Sequence, residues 1–150
     1  MISTNQIIGG HNMETNKRVK YARMIYFILA ILFTLCIIVQ FYLAGVATFL
    51  NAEAWIKHVL FVHLFGFNLP IFMLIFAIIG ALPQWAYWQL FGVFASIFLM
   101  YFTVNVNTIA PWFGPLHIIV GILLFTLSCA IAFKSWHFFF KHTKRKQEKI

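Results

Sequence analysis

The chemistry open to this chain of 150 residues rests chiefly on six histidines, Gln40 and a few asparagines, because its long apolar runs hold no Asp, Glu, Lys or Arg. His58, His63 and His117 lie at or inside those runs, whereas His11, His137 and His142 lie in or beside basic segments and are expected to be solvated. His58 and His63 are separated by about 140° on a helix, too far apart to share a face well. His63 and His117 belong to different helices at similar depth, so their rings could meet across a bundle core. Each has a glycine one turn on, Gly66 after His63 and Gly121 after His117. A small residue there lets helices pack closely, or lets a flat cofactor lie against the backbone. Neutral imidazoles from facing helices serve as axial ligands to haem iron. One expectation is therefore a b-type haem between His63 and His117, with Phe65 and Phe113 as its apolar wall, passing electrons between a membrane quinone and an external acceptor. A second is a zinc or copper site built from His58, His63 and His117. A third is that each imidazole hydrogen-bonds across the bundle, for about 0.6 to 2 kcal/mol. No Cys-x-x-Cys-His haem-attachment motif is present.

Gln40 is an amide deep in an apolar run, roughly 15 Å from the end of its helix. A buried amide needs partners, which points to a bond with another helix or with a bound ligand such as a quinone carbonyl. No Asp, Glu, Lys or Arg lies inside an apolar run. That disfavours an ion pump or proton-coupled transporter, which usually places an acid or base within the membrane. It also removes the paired carboxylates of di-iron bundles and glycosidases and the acid of a Ser–His–Asp set.

The elements that must position these groups follow from composition. The chain is 63% hydrophobic and 9% charged, against about a quarter charged in soluble domains, so an integral membrane protein is expected. Apolar runs at residues 24–50, 59–82, 86–106 and 116–133 are each long enough for a helix to cross a hydrocarbon core of about 30 Å. Short connections make neighbouring helices antiparallel. The expected fold is thus an all-α, up-down-up-down four-helix bundle over 21–137, with a flexible cytoplasmic tail at 1–20 and a basic cytoplasmic tail at 138–150.

Ten of the eleven Lys and Arg residues lie before the first run or after the last, and only Lys57 lies between. By the positive-inside rule both termini are cytoplasmic, and the basic ends are suited to anionic lipid head groups rather than nucleic acid. All five tryptophans fall at a predicted boundary, where the membrane interface favours them. Pro70 is expected to kink the second helix by withholding a hydrogen bond from the Gly66 carbonyl, and Cys36 and Cys129 are expected to pack as buried thiols.

At Gln40-x-x-x-Ala44-Gly45, His63-x-x-Gly66 and Leu116-His117, the chain resembles a family of short bacterial four-span membrane proteins of unassigned function. The likeness covers about 24–133. That family often follows its last-helix histidine with a Pro-Val-Asn type of sequence, where this chain has Ile118-Ile119-Val120. The resemblance implies a bacterial plasma-membrane bundle and draws attention to Gln40, His63 and His117, but it implies no chemistry. The functions that remain open are a small cytochrome-b-like redox or haem-handling protein, an accessory or immunity-type protein acting through a larger membrane partner, and a small-molecule or lipid carrier.

Overall fold

The computed structural model describes the backbone of residues 4–147 and the side chains of residues 17–139. The elements are α1 (Thr4–Phe49), α2 (Ala54–Phe65), α3 (Asn68–Ile79), α4 (Gln84–Val106), a single 3-10 turn (Pro111–Phe113) and α5 (Gly114–Gln147), with no strand among the described residues.

The buried positions explain how the helices pack. Along α1 they are Ala22, Tyr26, Ala30, Phe33, Ile37, Gln40 and Ala47; along α4, Ala86, Leu90, Val93, Ile97 and Thr103; along α5, Gly121, Leu124, Ser128, Ile131 and Ser135. Spacings of three and four residues keep a narrow seam facing the bundle, the pattern of knobs-into-holes packing. Alanine, glycine and serine recur on that seam and let the backbones approach. Among the described residues, α1 neighbours α2, α3 and α5, α4 neighbours α3 and α5, and α1 and α4 have no Cα pair within 8 Å, so they lie on a diagonal.

Contacts define two ends. At one, Arg23 Nε donates to Gly80 O (2.8 Å), its guanidinium lies 4.9 Å above the Phe138 ring, and Phe138 meets Trp85 edge-on. Here α3 closes with paired bonds, Leu82 N to Ala77 O and Ala81 N to Ile78 O (both 3.0 Å), which place Ala81 at φ 44°. At the other end lie Gln40, His58, His63, Tyr101 and His117. The arginine end is well packed, with Tyr26, Met73 and Val93 all 0% exposed; the histidine end is not.

Four helical segments, Lys17–Phe49, Ala54–Ile79, Gln84–Val106 and Pro111–Phe139, are long and apolar enough to cross a membrane. Only 22–28% of the apolar window in each is buried inside the bundle. The apolar remainder is far more than a water-exposed monomer presents, and it fits a protein surrounded by lipid.

Three elements differ from the sequence expectation. Helix extends through most of the expected tails, because α1 starts at Thr4 and α5 runs to Gln147. Lengthening an existing helix needs no new nucleus. The second run begins earlier, at Ala54, which puts His58 inside α2 rather than at its boundary. At Gly66–Phe67 its hydrogen-bond ladder lapses while both residues keep helical dihedrals (φ −52°, ψ −56° and φ −90°, ψ −32°), the local distortion expected from Pro70. Pro70 leaves Gly66 O without its helical donor, Ile71 N bonds Phe67 O (3.0 Å), and the Asn68 side chain donates to Leu64 O (2.7 Å) across the lapse. Cys129 is exposed and Cys36 only partly covered, so neither is the buried packing thiol expected.

Candidate functional site

The distortion in the second span creates the site. α3 packs on both α1 and α4, but α2 rests on α1, and among the described residues none of its Cα atoms comes within 8 Å of α4 or α5. The gap is a cavity of about 600 Å³ between α1, α2, α4 and α5. Its walls are mostly apolar, including Phe33, Ile37, Val62, Phe65, Ile97 and Leu124, and no charged side chain lines it. A few polar groups converge on it: Gln40, His58, His63, Tyr101, Asn105, Asn107 and His117. An apolar chamber with a few placed polar groups, at a volume within the ~300–1,000 Å³ range of small-molecule sites, is the form such sites take.

Most of these polar groups are held by a specific bond. Gln40 Nε2 donates to His58 O (2.7 Å), and His58 Nδ1 donates to Gln40 O (3.2 Å). A carbonyl only accepts, so Nδ1 carries the proton and Nε2 of the neutral ring carries a lone pair. His117 repeats this on the other helix pair: its Nδ1 donates to Met100 O (3.2 Å). The Thr103 hydroxyl, 3.4 Å from that nitrogen, donates to the same carbonyl (2.9 Å). His63 Nδ1 pairs with the Tyr101 hydroxyl (3.0 Å). Gln40, 6% exposed, keeps its Oε1 buried without a partner.

Of the sequence-selected residues, Gln40, His58, His63, Gly66, His117 and Gly121 all line this one cavity. His63 and His117 anchor to adjacent residues of α4 and make no bond to each other. They sit on helices that occupy opposite corners of the bundle, not on a neighbouring antiparallel pair. Gly121 leaves room, since a Cβ there would lie 3.4 Å from the Phe41 ring. Gly66 does not, because a Cβ would lie 2.6 Å from Val62 O; its place is explained by the helix distortion. Phe65 is a wall residue, whereas Phe113 stacks on Trp112 (3.9 Å) and is not.

The zinc or copper centre drawn from His58, His63 and His117 is not assembled. Among the described residues no three His, Cys, Asp or Glu side chains are placed to hold a metal ion, because each ring is tied to a different partner on α1 or α4. His137 packs on Phe133 (4.5 Å between centroids), and the side chains of His11 and His142 lie outside the described residues.

Sequence reasoning missed Tyr101, Thr103 and Trp55 as parts of the site. Tyr101 stacks on Phe67 (5.8 Å), Phe67 on Phe94 (6.4 Å), and His63 tilts against Tyr101 (5.5 Å). Of this aromatic ladder, His63 and Tyr101 line the cavity on the side where α2 and α4 part. The available signal was Tyr101 itself, a tyrosine inside an apolar run one turn before Asn105. Trp55, expected as an interface anchor, meets His58 edge-on (5.4 Å) and lines the cavity. A second cavity of about 260 Å³ adjoins the first and shares Trp55, His58, His117 and Ile118 with it.

Residues 40–108 match a family of unknown function, DUF6220. The match opens on Gln40 and spans His58, His63 and Tyr101, and stops short of His117. No curated protein and no solved structure matches the chain.

Proposed function

We propose that this chain is an integral protein of a bacterial plasma membrane, an up-down-up-down bundle with both basic ends cytoplasmic, that holds a small, largely apolar ligand in its outer half. The supporting observation is the cavity of about 600 Å³ whose apolar wall carries Gln40, His58, His63 and His117 at one end. The charge distribution of the sequence supports the orientation, since ten of eleven basic residues lie toward the chain ends. The basic ends then face anionic lipid, and a larger membrane partner would bind through the lipid-facing surface.

One occupant is favoured by a specific observation. His63 and His117 line the same cavity, and each has Nδ1 engaged by α4, the arrangement by which an outer partner orients an imidazole that binds through its other nitrogen. A b-type haem would use those two Nε2 atoms and make the chain a small redox or haem-handling protein that exchanges electrons with a quinone.

Both forms are tested on protein extracted in mild detergent from cells supplied with haem, by visible spectroscopy and by mass spectrometry of the bound non-protein material. A Soret band lost in His63→Ala or His117→Ala supports haem. Colourless protein carrying an organic molecule in near-stoichiometric amount, lost when Gly121→Phe fills the chamber, supports the carrier. Colourless protein with nothing bound overturns the ligand-site reading.

A further inference from the structure

The cavity is as deep as one leaflet of a bilayer. Its floor is Phe33, Phe65, Ile97 and Leu124, none more than 6% exposed, and each stands near the middle of its span, within Lys17–Phe49, Ala54–Ile79, Gln84–Val106 and Pro111–Phe139 respectively. Its mouth, at the histidine end, carries Trp55, Asn105, Asn107 and His117. From Trp55 to Phe65, from Asn107 to Ile97 and from Gly114 to Leu124 the helical rise is about 15 Å in each case, half of a hydrocarbon core of about 30 Å. Polar lining at the surface and apolar lining down to the midplane repeat the profile of the leaflet itself.

The cavity also opens sideways. Among the described residues no Cα of α2 comes within 8 Å of α4, and lining residues on both edges of that gap, Val59 and His63 on α2, Val104 and Asn105 on α4, are exposed. A slot there admits molecules already dissolved in the bilayer. Volume sets their size: about 600 Å³ holds roughly twenty non-hydrogen atoms at the ~30 Å³ that a water takes in the liquid. That is one chain with a small head, and less than half of a two-chain phospholipid. No charged side chain lines the cavity to pair with a phosphate or an ammonium. Indole and amide N–H groups beside amide oxygens and imidazole lone pairs suit a head that both donates and accepts, such as glycerol or an amide.

We propose that the occupant is a single-chain lipid with a small uncharged head, taken from the outer leaflet through the slot between α2 and α4, its head at the mouth and its chain end on the four floor residues. This rests on the ligand-site reading above and narrows it to a lipid standing along the bilayer normal.

Photolabelling tests it. Full-length protein, washed in mild detergent and returned to phosphatidylcholine nanodiscs, is irradiated with monolauroylglycerol carrying a diazirine at its chain end, and labelled residues are read by peptide mass spectrometry. A lipid outside the bundle does not reach the buried floor, so labelling of Phe33, Phe65, Ile97 or Leu124 is the expected result. It should be lost in Gly121→Phe and with excess unlabelled monolauroylglycerol, and the competition carries the test if the variant fails to fold. Lauroyl lysophosphatidylglycerol, the same chain on a charged head, should compete about tenfold less well; equal competition overturns the uncharged head. Joining Val59→Cys to Val104→Cys with a bismaleimide is expected to stop uptake, and an unchanged rate overturns the entrance. A headless phenyl diazirine separates this proposal from the reading beneath it. A floor labelled by that probe but not by the lipid overturns the lipid and leaves a ligand site in place, and a floor labelled by neither overturns both.

Discussion

Gln40 and His58 each bond the other's backbone: the amide of Gln40 donates to His58 O at 2.7 Å, and the imidazole of His58 donates to Gln40 O at 3.2 Å. The exchange fixes α1 to α2 at the level where α2 has left the rest of the bundle. Across the molecule His117 makes the matching bond to Met100 O, also at 3.2 Å, so each helix pair has a histidine near the start of its second member bonded to its first. The cavity is framed by these two clasps.

Because each bond of the first clasp joins a side chain to a carbonyl, removing one side chain leaves the other bond's atoms intact. Gln40→Leu and His58→Leu are each expected to lower stability by about 0.6 to 2 kcal/mol. The double variant should equal their sum to within about 0.5 kcal/mol. Reversible unfolding in mixed micelles measures all three, and a coupling well above that would mean the side chains act on each other.

Tyr101→Phe deletes the hydroxyl 3.0 Å from His63 Nδ1 but keeps the ring that stacks on Phe67. The helices should stay folded, with a loss of about 1 kcal/mol or less, while His63 becomes free to turn. Faster modification of His63 by diethyl pyrocarbonate, read by peptide mass spectrometry, is the expected signature. An unchanged rate would show that the aromatic ladder alone holds the ring.

The two glycines of the site should respond in opposite ways to alanine. At Gly66 the new Cβ meets Val62 O at 2.6 Å, a backbone atom that has nowhere to go, and a loss of about 1 to 3 kcal/mol is expected. At Gly121 the nearest atom is 3.4 Å away, and replacing glycine inside a helix is worth up to ~1 kcal/mol. Melting temperatures of the two variants should fall on either side of the parent.

Ala81 holds the left-handed position that ends α3, at φ 44°, while the glycine sits one place earlier at φ −77°, where its lack of a Cβ serves the close approach of Phe76 O and Arg23 rather than the backbone angle. Ala81→Gly is expected to raise stability by about 1 kcal/mol by removing the Cβ strain. In the same corner, Arg23→Lys should lose stability, because an ammonium cannot keep both the bond to Gly80 O and the planar contact with Phe138. Thermal unfolding in detergent checks both.

Composition and hydropathy alone determined the class of this protein: four apolar helical runs, charge confined largely to the ends, and a short set of polar residues in the spans. Helical periodicity also separated His58 from His63, and they do turn to different partners, one to Gln40 on α1 and the other to Tyr101 on α4. The legible part is local, because hydrophobic length and spacing act along a single helix. The site was decided in three dimensions. Pro70 marks a distortion in any reading, but only the packed helices show that α2 leans on α1, parts from α4 and leaves a chamber. Which nitrogen of each ring is spent, and that Gln40 Oε1 is left without a partner, depends on carbonyls supplied by a neighbouring helix, and spacing along the sequence carries no record of them.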